Sequence, residues 1–391
     1  MREHVPLSTA RLSAYAAVGA ELSLLSDRRL GEAVAAAPVL GSGMGGRRTE
    51  MEVAGTPVFI KRVPLTDIEL RSEHVRSTAN LFGLPLHYQY GVGSAGFGAW
   101  RELAAHVMTS AWVLRNEFAG FPLMYHWRVL PDRPPADFAD EFGGMEGAVA
   151  HWEGSPAVRQ RLAAIGKSSS SLVLFLEHVP RTLAGWLGAT REAVGPDPAG
   201  DSPYLWVEDA LARGTEFMSS RGLVHFDAHF ANLLTDGRQV YFADFGLALS
   251  RHYELSPQEA AFLDDHLVYD RCYAPWHLLR HHLPPTVLGD TELGTFLREW
   301  IAGRRPDDVP PAITAIIDRH ASSAAVMDDF AHRLITKTKR TPFPTAEIRR
   351  TLGESSAPQP SGPLRPSAYS PGGTRTKPSV QPSSSSSQAS K

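Results

Sequence analysis

Val224-His225-Phe226-Asp227-Ala228-His229-Phe230-Ala231-Asn232-Leu233-Leu234, followed by Tyr241-Phe242-Ala243-Asp244-Phe245-Gly246, is the stretch that decides how this chain folds. Asn232 comes five residues after Asp227 and Asp244 seventeen after it, within apolar, strand-like text. A carboxylate, an amide and a second carboxylate at this spacing are the layout for moving a phosphoryl group. One acid accepts a hydroxyl proton, while the amide and the other acid hold Mg²⁺ on nucleotide phosphates. An Asp beside an aromatic in a turn is common by itself; the information lies in the two motifs together.

On these motifs, residues of about 35 to 350 resemble the protein-kinase-like superfamily, which includes the protein kinases and the aminoglycoside and choline kinases. The resemblance implies an α+β, bilobal fold with a small antiparallel β N-lobe and a mainly helical C-lobe. It makes Asp227 the catalytic base, Asn232 and Asp244 the metal ligands, and Phe245 with His225 a packed pair that fixes the loop. Leu234 would form the floor under the adenine. The implied cofactors are ATP and Mg²⁺.

Upstream, Gly41-Ser42-Gly43-Met44-Gly45-Gly46 precedes a strand, a turn at Gly55-Thr56-Pro57 and a second strand ending at Lys61. The glycines therefore lie in a hairpin and do not open a helix, as they would in a dinucleotide-binding turn. Gly41, Gly43 and Gly46 would let backbone N–H groups approach phosphates without a side-chain clash. Lys61, the only lysine in the first 166 residues, stands where an ammonium for the α and β phosphates is expected. Its expected partner is Glu102, which lies off the apolar stripe Trp100, Leu103, Val107, Ala111 and Leu114 of a helical segment.

Leu172 to Leu176 reads as a buried strand. Glu177-His178-Val179 after it resembles the linker between lobes, where Glu177 and Val179 would border the adenine and offer backbone hydrogen bonds. The expected organisation is an N-terminal helical extension, 1–34; an N-lobe, 35–179, with insertions at about 70–98 and 131–171; a C-lobe, 180–352; and a disordered Ser/Pro-rich tail, 353–391. Further expectations are one helix over Ser8 to Leu25 closed by a polar patch at 26–29, and a strand over Phe121 to Leu130. A helix near Ala157 to Ile165, an N-cap at Ser202 with Pro203 at the first helical position, and a capping box at Ser256 to Glu259 follow. Later helices are expected over Asp290 to Ala302 and Pro311 to His320.

A formal net charge of −3 gives no general attraction to nucleic acid or membrane surfaces. No uncharged apolar run reaches about eighteen residues, and no leader pattern is evident. With Cys272 as the single cysteine, the reading is a cytoplasmic protein with one buried thiol and no disulfide framework. His277, His281 and His282 lack accompanying Cys or carboxylates and read as a surface helix rather than a zinc site.

Departures from the protein-kinase pattern bear on the acceptor. Phe226 occupies the position of the arginine that reads a loop phosphate, and His229 gives the H-x-D-x-H-x-x-N form of small-molecule kinases. No A-P-E segment is evident beyond Ala274-Pro275-Trp276, and Phe59 stands where a small residue normally roofs the adenine. Asp244-Phe245-Gly246 and the linker text instead favour a protein Ser/Thr acceptor. The expected activity is phosphoryl transfer from ATP to a hydroxyl of a protein. The alternatives are a small-molecule kinase of the aminoglycoside, choline or sugar type, and a nucleotide-binding pseudokinase or scaffold.

Overall fold

Strand-forming text from Val39 to Leu65, broken near residues 44–45 and at Ala54-Gly55, folds into three consecutive antiparallel strands: β1 (Val39–Gly43), β2 (Gly46–Val53) and β3 (Thr56–Leu65). The structure, a computed structural model, describes residues 8–43, 46–135, 139–194 and 202–354. The expected disordered tail therefore lies, from residue 355 onward, outside the described residues. β4 (Met124–Pro131) and β5 (Ser170–Glu177) complete a five-stranded antiparallel sheet in the order β1-β2-β3-β5-β4. β4 starts three residues later than the sequence suggests, because Phe121 and Leu123 enter the core ahead of the ladder. The described chain is thus α+β.

Two helices precede the sheet, α1 (Thr9–Leu24) and α2 (Asp27–Ala36), where one was expected. The polar patch ends the first and starts the second: the Ser26 hydroxyl accepts from Arg29 N–H as an N-cap, with Asp27 in the first turn. Helix α3 (Ala99–Leu114) packs Trp100 and Leu103 against Val63, Leu65, Leu172 and Leu174 of the sheet.

The two expected insertions are not independent. Phe82, Leu84, Tyr88 and Phe97 from the first share one apolar cluster with Trp152, Val158 and Leu162 from the second. The second insertion supplies α4 (Met145–His151) as well as the expected helix, α5 (Pro156–Ile165). Together they form a cap with a core of its own.

The remaining helices are α6 (Leu183–Val194), α7 (Pro203–Ser220), α8 (Pro257–His266), α9 (Tyr269–His281), α10 (Pro285–Leu288), α11 (Leu293–Ile301), α12 (Pro311–Thr336) and α13 (Thr345–Thr351). Short strands lie among them: β6 (Arg181–Thr182), β8 (Leu233–Thr235) and β9 (Val240–Phe242) form one sheet, and β7 (Leu223–Val224) pairs with β10 (Leu249–Ser250). Helix α12 runs well past His320, because Ala321, Ala324, Met327, Phe330 and Leu334 continue the buried stripe of Ile313, Ile316 and Ile317. Ser202 stands at the N-cap of α7, but its hydroxyl makes no capping bond. Ser256 and Glu259 form the full capping box of α8. Cys272 is buried, and burial pushes its thiol up to about 12. No described helix is long and apolar enough to cross a membrane.

Candidate active site

The loop from β7 to β8 is held from beneath by a buried carboxylate. Asp270, in the first turn of α9, accepts from the backbone N–H of His225 (2.5 Å) and Phe226 (3.0 Å). Phe226 adopts φ 63°, in the left-handed region that a bulky residue enters only when its surroundings impose it. The turn leaves the Asp227 side chain 20% exposed while the Phe226 ring packs against Tyr90, Phe262 and Tyr269. His225 Nε2–H donates to Ala243 O (2.9 Å), and its Nδ1 accepts from Asp227 N–H (3.3 Å). That ring ties the Asp227 loop to the segment carrying Asp244, which also has φ 63°. The Phe245 ring lies between His225 (5.2 Å, tilted) and His106 (5.1 Å, edge-on), so the expected His225–Phe245 pair is a run of three rings.

Lys61 on β3 donates to Glu102 Oε1 of α3 (2.6 Å) and to Asp244 Oδ1 (2.7 Å). Glu102 faces inward and is buried, because Ala99 and Trp100 turn that face of α3 onto the sheet. Asn232 donates through Nδ2 to Asp227 Oδ2 (2.9 Å) and Asp227 O (3.1 Å), so its carbonyl oxygen points away from that carboxylate. His229 Nε2 lies 3.6 Å from Asp227 Oδ1.

Burial would lower the Lys61 ammonium, but Asp244 and Glu102 outweigh it and hold the lysine above its ordinary value. Burial would likewise raise Asp244; the Lys61 charge reverses this and takes it down to about 2. Glu102 stays above the usual carboxylate range, at about 7, through burial against the pull of Lys61. Burial raises Asp227 to about 6, opposed by His229. One acid is thus firmly ionised at neutral pH, and the other sits where it can take up a proton.

Two chambers meet at Asn232 and Asp244, which border both. The hinge-side chamber, about 300 Å³, is lined by Phe59, Lys61, His106, Leu176, Val179 and Leu234 among others. The Glu177 N–H is taken by Leu123 O (2.8 Å) and its carboxylate by Arg11 (2.7 and 2.8 Å), so Glu177 shapes the wall. Val179 lines this chamber, and its N–H has no acceptor among the described residues. The cap-side chamber, about 240 Å³, is lined by Gly91, Ala95, Arg161, Asp227 and His229 among others.

Lys61, Glu102, Asp227, Asn232 and Asp244 therefore come together, and Glu177, Val179 and Leu234 border one chamber. Of the expected glycines, Gly41 and Gly46 are on the described lining of neither chamber. Gly41 and Gly43 lie in β1 and Gly46 opens β2, but Leu40 and Arg48 line the chamber there, and Met44-Gly45 falls outside the described residues. Gly46 has a packing reason for its identity: at φ 102°, a Cβ would lie 2.1 Å from Arg62 O. Sequence reading missed Asp270, the Arg11 grip on Glu177 and the approach of Gly91 to Asp227. The Gly-rich text from Tyr90 to Gly98 was the available signal for the last. Among known proteins, no family model and no curated sequence matches the chain.

Proposed function

We propose that this chain is a Mg²⁺-dependent phosphotransferase with a bilobal, protein-kinase-like fold, moving the γ-phosphoryl group of ATP to a hydroxyl. The carrying observation is the buried Lys61, on the sheet, within 2.7 Å of Asp244, on the helical side, while paired with Glu102 at 2.6 Å. An ammonium fixed beside an ionised acid at the junction of two chambers suits a triphosphate lying across that junction.

The donor set fits Mg²⁺: Asp244 and the outward carbonyl of Asn232 are hard oxygen ligands, and such sites use one or two carboxylates completed by water and phosphate. When bound, the ion neutralises phosphate charge. The chain's own residues do the rest. Val179 presents a free backbone edge to the base, and Phe59 and Leu234 cover its faces. Lys61 holds phosphate oxygens. Asp227 orients the acceptor hydroxyl and takes its proton as the new P–O bond forms and the bond to the β-phosphate oxygen breaks, releasing ADP. Alignment and fixed charge carry most of the acceleration.

The test is Mg²⁺-dependent ADP formation in the presence of a cell extract. Asp227→Asn is expected to lower it by roughly 10²–10⁴-fold with Mg–ATP binding retained. Lys61→Met is expected to weaken nucleotide binding itself. Turnover unchanged in Asp227→Asn would remove this assignment.

A further inference from the structure

Resting on the phosphotransfer reading, we infer that the acceptor is a neutral, polyhydroxylated small molecule of about monosaccharide size, bound between Asp227 and the cap. A protein side chain is not the substrate of this chamber. The wall that decides this is the segment from Tyr90 to Gly98, which is anchored along its length. The Tyr90 hydroxyl meets His266 Nε2 (2.9 Å) beneath the Asp227 loop. Gly91 passes so close to Asp227 that a Cβ there would lie 2.2 Å from Oδ1. From the cap, His151 Nε2–H donates to Val92 O (2.7 Å) and Trp152 Nε1–H to Gly93 O (3.2 Å). Gly96, at φ 70°, lies against the metal-motif loop, where a Cβ would be 2.5 Å from Gly246 O. Glycine is required at Gly91 and Gly96 because the backbone itself forms the wall.

The segment after Gly246 leaves no open platform for a peptide. Gln89 Nε2–H donates to Leu247 O, Leu249 and Ser250 pair with β7, and the Tyr253 hydroxyl donates to Arg101 O (2.8 Å). Ser256 then caps α8. A hydroxyl reaching Asp227 does so from within the cap-side chamber.

That chamber's chemistry selects the class. At about 240 Å³ it lies below the range of about 300–1,000 Å³ usual for drug-sized ligands. The one described Lys or Arg on its lining, Arg161, is already matched by Glu69 (2.8 Å), and the Lys61 ammonium of the neighbouring chamber is taken by Glu102 and Asp244, so none of these offers an uncompensated charge to an anionic acceptor. No described Phe, Tyr or Trp lines it, so it lacks the aromatic faces that hold a quaternary ammonium group. What it does offer are hydrogen-bonding groups without partners. The N–H groups of Gly93 and Ser94, both on its lining, donate to no described residue. Hydroxyls satisfy such groups at no charge cost and present the oxygen that attacks phosphorus.

The experiment incubates the full chain with γ-labelled ATP and Mg²⁺ and with separate probes: myo-inositol, glucose, choline, casein, and a cell extract divided into retained protein, ionic small molecules and neutral small molecules. Label in the neutral fraction, or on myo-inositol or glucose, is expected. Ala95→Leu, which adds bulk to the chamber wall away from Asp227, should then raise the acceptor KM about tenfold or more. It should leave the Mg–ADP-induced rise in Tm intact, which also shows that the variant folds. Label confined to casein, retained protein, choline or the ionic fraction overturns the inference while leaving phosphotransfer standing, as does an acceptor KM unmoved by Ala95→Leu. Label in no fraction removes the phosphotransfer reading itself.

Discussion

His106 places an imidazole inside the protein with neither nitrogen bonded to any described residue, 4.0 Å from Glu102 Oε1 and edge-on to Phe245. Burial, helped by the Lys61 charge, drives it down to about 3, so the ring is neutral. Replacing it by Leu removes an unsatisfied buried group, and His106→Leu is expected to gain about 1–3 kcal/mol near neutral pH. The folded value lies below the unfolded one, near 6.5, so this histidine's contribution is lost as pH falls below about 6.5. Chemical denaturation should therefore show the variant's advantage widening by about 2 kcal/mol between about pH 7 and pH 5. A constant or shrinking advantage contradicts a neutral buried ring. Asp227 behaves oppositely, since burial raises it to about 6 and its basic form is lost as pH falls through that value. The acid limb of kcat/KM should accordingly drop about tenfold per unit below about pH 6. Because His229 holds Asp227 down, His229→Gln should move that limb to higher pH, and an unmoved limb would assign it to another group. At this scale the sequence brings out the five residues that meet: Asp227, Asn232 and Asp244 stand at fixed offsets in two motifs, Lys61 ends the strand after the glycine hairpin, and Glu102 is picked from the helical segment that follows. It hides His106, whose significance depends on Phe245 reaching it from another element.

Helix α1 does more than extend the chain. Arg11 makes a bidentate pair with Glu177 (2.7 and 2.8 Å) and also donates to Ala119 O (3.1 Å) and Phe121 O (2.7 Å). It thereby fixes the exit of β5, from which Val179 enters the hinge-side chamber. Arg11→Ala leaves Glu177, whose side chain is 13% exposed, with Leu123 N–H as its remaining donor. The expected loss is about 2–3 kcal/mol of stability, together with a weaker ATP affinity. Urea unfolding and nucleotide titration read the two separately; intact affinity with lost stability would reduce the helix to scaffold. Elements of this kind divide by what their sequence specifies. The capping box at Ser256, the strand-turn-strand text around Gly55 and the run Leu172 to Leu176 are local signals, and each element forms where they stand. The Arg11–Glu177 pair spans most of the sheet-bearing half of the chain, and neither residue announces the other.

The sheet and the helices share one core, which runs from Val58 and Ile60 through Phe121 and Phe245 to Leu278 and Ile316. The order of motifs along the chain puts the lysine strand well before the acid loops, and the fold brings the two together, with Lys61 on the sheet donating to Asp244. It does not foretell that residues 70–98 and 131–171 fold together, since the cluster joining Tyr88 to Trp152 exists only once both are in place. A second coupling hidden in the sequence is Arg101. On α3 beside Glu102, it donates to Glu259 of α8 (2.6 Å) and to Thr78 O of the cap (2.8 Å), with Phe97 stacked on its guanidinium at 4.8 Å. Both partners of the ion pair are nearly inaccessible, so breaking it strands a buried carboxylate. Arg101→Met is expected to cost about 3–5 kcal/mol and, by freeing α3 from α8, to weaken Mg–ATP binding through the displaced Glu102. Arg101→Met combined with Glu259→Met removes both charges and should recover most of the stability, less about 1 kcal/mol for the lost capping box. It should not restore the affinity, because α3 remains untethered. Calorimetry of the single and double variants, each with and without Mg–ATP, separates the two effects: affinity recovering together with stability would mean that the pair only holds the molecule together, whereas stability recovering alone identifies it as the contact that sets α3 for Lys61.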